Sequence, residues 1–246
     1  MDNMEKMEAL KDDLDAAREA GDAKGEAEAL YGIGRVYFKD KVFEAAEDYW
    51  GQCRRVCRDH EMRSALIQVL LDLAETALAQ NDPEGAAGRL AEAEATAREK
   101  GLIQELSKIL DRKGGFAVQR RDFDGAVSSF EEGLDLCRKH DDRIGSLYFL
   151  EQLIPLYKSG SRTNQVAAAY RAVITFAEKL GDRERMALGL TGLADWLQKT
   201  ENPGEAEPYL VLAHDIFLRI GRTAEAELIR RELKKTGVLP PDVNAG

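Results

Sequence analysis

Phe43-Glu44-Ala45-Ala46, Pro83-Glu84-Gly85-Ala86, Phe123-Asp124-Gly125-Ala126 and Pro203-Gly204-Glu205-Ala206 are four versions of one short string, and they keep strict phase. Their last residues, Ala46, Ala86, Ala126 and Ala206, lie on a 40-residue grid, and Val166 fills the remaining slot. A fixed period of about 20–50 residues marks a chain of stacked structural repeats. Each repeat then buries its apolar face mainly against its neighbours.

Working outward from the string, each period holds two helices. The first, helix A, carries apolar residues at i, i+3 and i+7: Leu30, Ile33, Tyr37; Leu70, Leu73, Ala77; Leu150, Leu153, Tyr157; and Leu190, Leu193, Leu197, with Leu110 and Ala117 in the third period. That spacing draws one stripe along a helix. Gly34, Ala74, Gly114 and Ala194 interrupt the stripes with a small side chain, where the second helix, B, can approach closely. On helix B the grid alanines do the same. Four residues later comes a large side chain, Trp50, Leu90, Phe130, Tyr170 or Leu210, to fill the layer. Alternating Val/Ile/Thr segments are absent, and the wealth of Ala, Leu, Glu, Arg and Lys favours helix.

Junction residues fit this reading. Asn81-Asp82-Pro83, Glu201-Asn202-Pro203 and Asp122-Phe123 place an Asx side chain where it can cap a free backbone N–H, with Pro tolerated at the first helical position. Gly21 and Gly181 stand at equivalent points between repeats, where positive φ ends a helix.

The order Leu-x2-Leu-small-x2-aromatic, then Ala, a large aromatic and a small residue resembles the tetratricopeptide repeat. The first unit carries it most fully, as Leu30, Ile33, Gly34, Tyr37, Ala46, Trp50 and Cys53. The family period is about 34 residues. The longer period here is similar to that of kinesin light chains and bacterial regulators. The resemblance spans residues 24 to 220 and implies an all-α, right-handed superhelical solenoid of antiparallel helix pairs. We expect one solenoid over 1–246. It has an N-terminal capping helix (1–21), repeats at 22–61, 62–101, 102–141, 142–181 and 182–221, a capping helix (222–236) and a tail (237–246). Pro155 falls inside helix A of the fourth repeat and is expected to bend the stack there.

Charge and composition exclude several classes. The net charge is −10 and the pI about 5.0, which opposes nucleic-acid binding by phosphate neutralisation. The basic cluster Arg54-Arg55-Val56-Cys57-Arg58 is flanked by Asp48, Asp59 and Glu61 and reads as ordinary surface charge. No run reaches the roughly 18 apolar residues of a membrane span, and the acidic N-terminus is not a secretory signal. Three cysteines without framework spacing fit a reducing, cytoplasmic setting. Cys53, Cys57 and His60 share a helix face, but Cys137 and His140 echo the latter two 80 residues on, which is how structural positions behave. We expect no metal and no cofactor. The chain has no phosphate loop or nucleophile motif, and Gly114-Gly115 sits inside a helix A; we expect no enzyme.

In the family that the chain resembles, helix A lines the concave surface that holds ligands. Carried over position by position, this implies a groove of Tyr31, Arg35, Phe38 and Lys39; Leu71, Glu75 and Leu78; Lys108, Asp111, Arg112 and Val118; Tyr148, Glu151, Gln152 and Lys158; and Leu188, Thr191, Asp195 and Gln198. The band Tyr31, Phe38, Leu71, Leu78 and Val118 is apolar, and charges of both signs follow it. Such a lining suits a protein or peptide partner of mixed charge. The carboxylate-clamp branch is not matched, because Arg35 and Glu75 occupy its Asn slots and Tyr31 replaces its first Lys. The expected function is a scaffold or adaptor. A peptide-responsive regulator acting through a separate output partner is the alternative, and self-association is compatible with either.

Overall fold

The computed structural model describes residues 3–160, 162–200 and 203–235. Among them are twelve α-helices and no strand. They are α1 (Asn3–Ala20), α2 (Ala23–Lys39), α3 (Phe43–Asp59), α4 (Arg63–Ala79), α5 (Pro83–Lys100) and α6 (Ile103–Gln119). There follow α7 (Phe123–Lys139), α8 (Arg143–Ser159), α9 (Thr163–Leu180), α10 (Arg183–Lys199), α11 (Glu207–Arg219) and α12 (Thr223–Lys235). From α2 to α10 a helix begins every 20 residues, so the 40-residue period is an A–B pair. The fold is an all-α helical repeat.

The junctions repeat as strictly as the helices. Gly21, Lys41, Glu61, Asn81, Gly101, Arg121, Asp141, Gly181 and Gly221 all have positive φ, between 52° and 78°. At each, the residue beyond it reaches back to close the helix: Val42 N–H to the Tyr37 carbonyl (2.9 Å), Asp122 to Ala117 (2.8 Å), Asp182 to Ala177 (2.9 Å). These bonds satisfy carbonyls that the helix end leaves free. The next helix then starts on an aspartate: Asp82, Asp122, Asp142 and Asp182 each accept from the backbone N–H three residues on, at 2.9–3.0 Å. The expected Asn202 cap lies outside the described residues. There the pattern changes. Pro203–Glu205 form a 3₁₀ turn, and α11 starts only at Glu207. Pro208 explains the split, because it fits the first turn of α11 but would break a helix already running from 203.

The chain divides into two compact units, Met1–Lys113 and Gly114–Gly246. In the first, α1 to α5 pack each on the next. Leu14 of α1 is buried, and Leu10 lies over Gly32 of α2, so the N-terminal helix closes that end of the core. Leu30, Ile33, Ala46, Trp50, Leu70, Leu73, Ala74, Ala86 and Leu90 fill the layers. In the second unit the core runs from Ala126, Phe130 and Leu150 through Val166 and Leu190 to Phe217, Ile229 and Leu233.

Small residues set the helix spacing. A Cβ on Gly34 would sit 2.4 Å from Trp50 Nε1, and one on Gly114 would sit 2.3 Å from the Phe130 ring. Tyr170 instead presses on Gly192 of the following helix A. Pro155 lies on the exposed side of α8, which is continuous from Arg143 to Ser159.

Equivalent helices of successive repeats are tied side by side by polar contacts. Arg54 and Arg58 of α3 both pair with Glu92 of α5, and Glu47 pairs with Arg89. In the second unit Arg185 Nε reaches Glu151 (3.0 Å), Arg162 reaches Asp124 (2.8 Å), and Arg222 pairs with Glu184. These pairs are at least partly exposed, so each adds little to stability and more to register.

Candidate functional site

The site in the first compact unit begins with Gly34. Its missing side chain lets the Trp50 indole lie against α2, where Nε1 donates to the Tyr31 carbonyl at 3.2 Å. Tyr31 stacks beside the indole (6.3 Å, 30°), and Phe38 tilts onto its far end (5.6 Å, 38°). Three aromatic side chains are thus immobilised on one stretch of α2 and α3.

Opposite them, α4 presents Gln68, Asp72 and Glu75, and α6 adds Arg112. Together with Arg35 and Lys39 these residues line a cleft of about 550 Å³. The charges inside it are ordered. Asp72 accepts from the Tyr31 hydroxyl (2.6 Å) and from Gln68 Nε2 (3.3 Å). Glu75 accepts from Arg112 Nη1 at 3.0 Å. Arg35 places its guanidinium 5.9 Å from the Tyr31 ring centre. Burial, reinforced by the hydrogen bond to Asp72, pushes the Tyr31 phenol well above its ordinary value. Tyr31 therefore stays a neutral donor at any physiological pH.

A second cleft of about 520 Å³ lies against the first. Ala27, Cys53, Met62, Ala65 and Val69 give it an apolar lining, and Lys24, Glu28, Arg63 and Ser64 complete it. Tyr31 and Gln68 line both clefts and form the wall between them.

Of the residues expected in a groove, the structure gathers Tyr31, Arg35, Phe38, Lys39, Glu75 and Arg112 around one cleft. Leu71 is a correction. It is 3 % exposed and belongs to the core, because α4 is apolar on several faces and its neighbours enclose it. Leu78 is half-buried and, with Lys108 and Asp111, lies outside the cleft lining. In the second unit Tyr148 is 42 % exposed and edges onto Phe149. There Glu151 is taken up by Arg185, and Lys158 donates to the Tyr170 hydroxyl at 2.7 Å. Exposed Ile144 and Leu188 share with Tyr148 the helix-A faces of that unit. Val118 is exposed too. Asp72 and Gln68 are the residues that sequence reasoning passed over. Their grid partners Arg112, Gln152, Lys108 and Tyr148 were all assigned inward, and that equivalence was the available signal.

Cys53 and Cys57 are buried with their sulfurs 3.9 Å apart, and Cys53 also contacts the Ala27 carbonyl at 3.2 Å. The hydrogen bond with Cys57, together with burial, pushes the Cys53 thiol up. His60 is the exposed C-cap of α3, so the three side chains do not converge. Among the described residues no helix is long and apolar enough to cross a membrane.

No protein-family model matches this chain, and no curated protein matches its sequence. Solved structures do. BtubC from P. vanneervenii superposes with a TM-score of 0.67 at 15% identity, over 90% of this chain and 93% of that one. A STAND-class signal-transduction ATPase from Pyrococcus horikoshii, which has a tetratricopeptide repeat sensor, gives 0.60 at 15% identity; the match covers 84% of this chain and 32% of that protein. A Rap protein complexed with Competence and Sporulation Factor gives 0.54 at 17% identity, over 85% of this chain and 63% of that one. At these identities the likeness is one of fold, a tetratricopeptide-like helical repeat.

Proposed function

We propose that this chain is a cytosolic adaptor of the long tetratricopeptide variety, in which the five helix pairs make one solenoid. It holds a segment of a partner polypeptide in the cleft between α2, α4 and α6. The observation that carries this reading is the cleft itself. Tyr31 and Phe38, held rigid against the buried Trp50 indole, supply apolar surface, and Arg35, Lys39, Asp72, Glu75 and Arg112 surround it with both signs of charge. Aromatic anchors with a polar surround are what a peptide site needs. The solved Rap protein in complex with Competence and Sporulation Factor supports the same use of this fold.

A second reading, a peptide-responsive regulator whose output lies in another protein, draws on the same cleft and on the sensor role named for the Pyrococcus horikoshii repeat. Neither reading assigns catalysis to the chain.

The test starts with capture of partners on the full chain and identification by mass spectrometry. Affinity for the captured partner is then measured with Arg35→Glu combined with Arg112→Glu. We expect at least a tenfold loss. Unchanged affinity removes the cleft from the function.

A further inference from the structure

The two clefts of the first compact unit differ in what they leave unsatisfied. Around the apolar one the charges are spent: Arg63 pairs with Glu61 at 2.8 Å and Lys24 with Glu28 at 3.7 Å. In the aromatic one the acids are spent. Asp72 holds Tyr31 and Gln68, and Glu75 holds Arg112. Arg35 and Lys39, one turn apart on α2, are exposed and have no carboxylate partner among the described residues. A chain of net charge −10 thus offers, among its described residues, two cations without a carboxylate partner beside an open apolar cleft.

Resting on the peptide-binding reading above, we infer that the partner segment is bipartite. An apolar side chain enters the cleft of Ala27, Cys53, Met62 and Val69, and an acidic side chain faces Arg35 and Lys39. The Tyr31–Gln68 wall fixes the distance between them, since both residues are held by one carboxylate. Ala27 and Arg35 are eight positions apart on α2, roughly 12 Å at about 1.5 Å per residue. An extended peptide at about 3.3 Å per residue covers that in roughly three to four residues. The acid is an internal side chain, so a free C-terminus is not required.

Selection of short random peptides, displayed on phage with both ends blocked by carrier sequence, tests this on the full chain. The expected winners pair an Asp or Glu with a Leu, Ile, Met or Phe at that spacing. Two variants at exposed positions keep the core intact: Arg35→Glu with Lys39→Glu, and Ala65→Trp, which fills the apolar cleft from its outer side. Unchanged circular dichroism verifies their folding. Each is expected to lose at least tenfold in affinity for the winners, and the charge-reversed variant should prefer Lys in place of the acid. Winners without an acid, or winners that bind both variants as well as the parent, overturn the bipartite ligand while leaving a peptide function standing. Absence of any enriched peptide overturns both.

Discussion

The Tyr31 hydroxyl donates a 2.6 Å hydrogen bond to the Asp72 carboxylate of the next repeat, 41 positions along the chain. It is half-buried and charge-assisted, and it joins α2 to α4 at the wall between the two clefts. Tyr31→Phe deletes the donor and keeps the ring. Bonds of this kind are worth about 1.5–3 kcal/mol, and Gln68 remains to serve the carboxylate. We expect a loss of about 1–2 kcal/mol, read as roughly a 5–30-fold drop in amide protection across α2 and α4. Unchanged hydrogen exchange would show the bond to be idle.

The same phenol predicts a pH effect. Burial and an acidic acceptor raise Tyr31 above its ordinary 10.0, and Tyr157, bonded to Glu131, is raised for the same reasons. A raised folded value means stability that is complete below pH 10 and drains away as pH climbs toward the folded value. Thermal melts above pH 10 should fall more steeply for the parent than for Tyr31→Phe combined with Tyr157→Phe. Parallel curves would contradict this.

His214 gives the opposite limb. Burial lowers its pKa from 6.5, and the nearby Arg230 adds to this, while Asp215 and Glu227 pull the other way. A lowered folded value means stability present above 6.5 and lost as pH falls through the folded value. Melting temperatures between pH 7.5 and 5.5 should decline for the parent and decline less for His214→Gln. An equal decline in both would exclude His214 as the source.

Adjacent glycines in α6 should respond with opposite signs. A Cβ on Gly114 meets the Phe130 ring at 2.3 Å, whereas one on Gly115 meets nothing within 4 Å. Gly114→Ala overpacks the layer and is expected to cost about 1–3 kcal/mol. Gly115→Ala removes backbone freedom from a helix interior and should stabilise by about 0.5–1 kcal/mol. Denaturation of the two variants side by side decides it, and a shared sign would refute the packing argument.

At the junctions, Arg121 holds a left-handed φ of 60° that Gly101 holds at 65° without strain. Arg121→Gly should raise stability by up to about 1 kcal/mol and Gly101→Ala should lower it by about as much. The check is the shift in melting temperature of each variant.

Much of this fold was legible because one physical requirement recurs at each period. A small residue at 34 or 114 and a large one at 50 or 130 only make sense as a pair in contact, and Gly34 on Trp50 and Gly114 on Phe130 are those contacts. The caps at Asp82 and Asp122 were legible for the same reason, whereas those at Asp142 and Asp182 emerge only in the structure. The left-handed residues Lys41, Glu61, Asn81, Arg121 and Asp141 were not legible, since they share a backbone state but no side-chain chemistry. Within the site, Tyr31, Arg35, Phe38, Glu75 and Arg112 followed from their slots on helix A. Leu71 misled because it occupies the slot of Tyr31 on a helix that is apolar almost all round. Asp72 looked like any surface carboxylate until α2 was placed beside it.

The polar ties between like helices described above span at most 42 residues along the chain, one repeat away. Native contacts this local demand little loop closure before they form. Within each compact unit, then, a helix pair can dock on its predecessor as soon as both have left the ribosome, and synthesis itself sets the order of assembly.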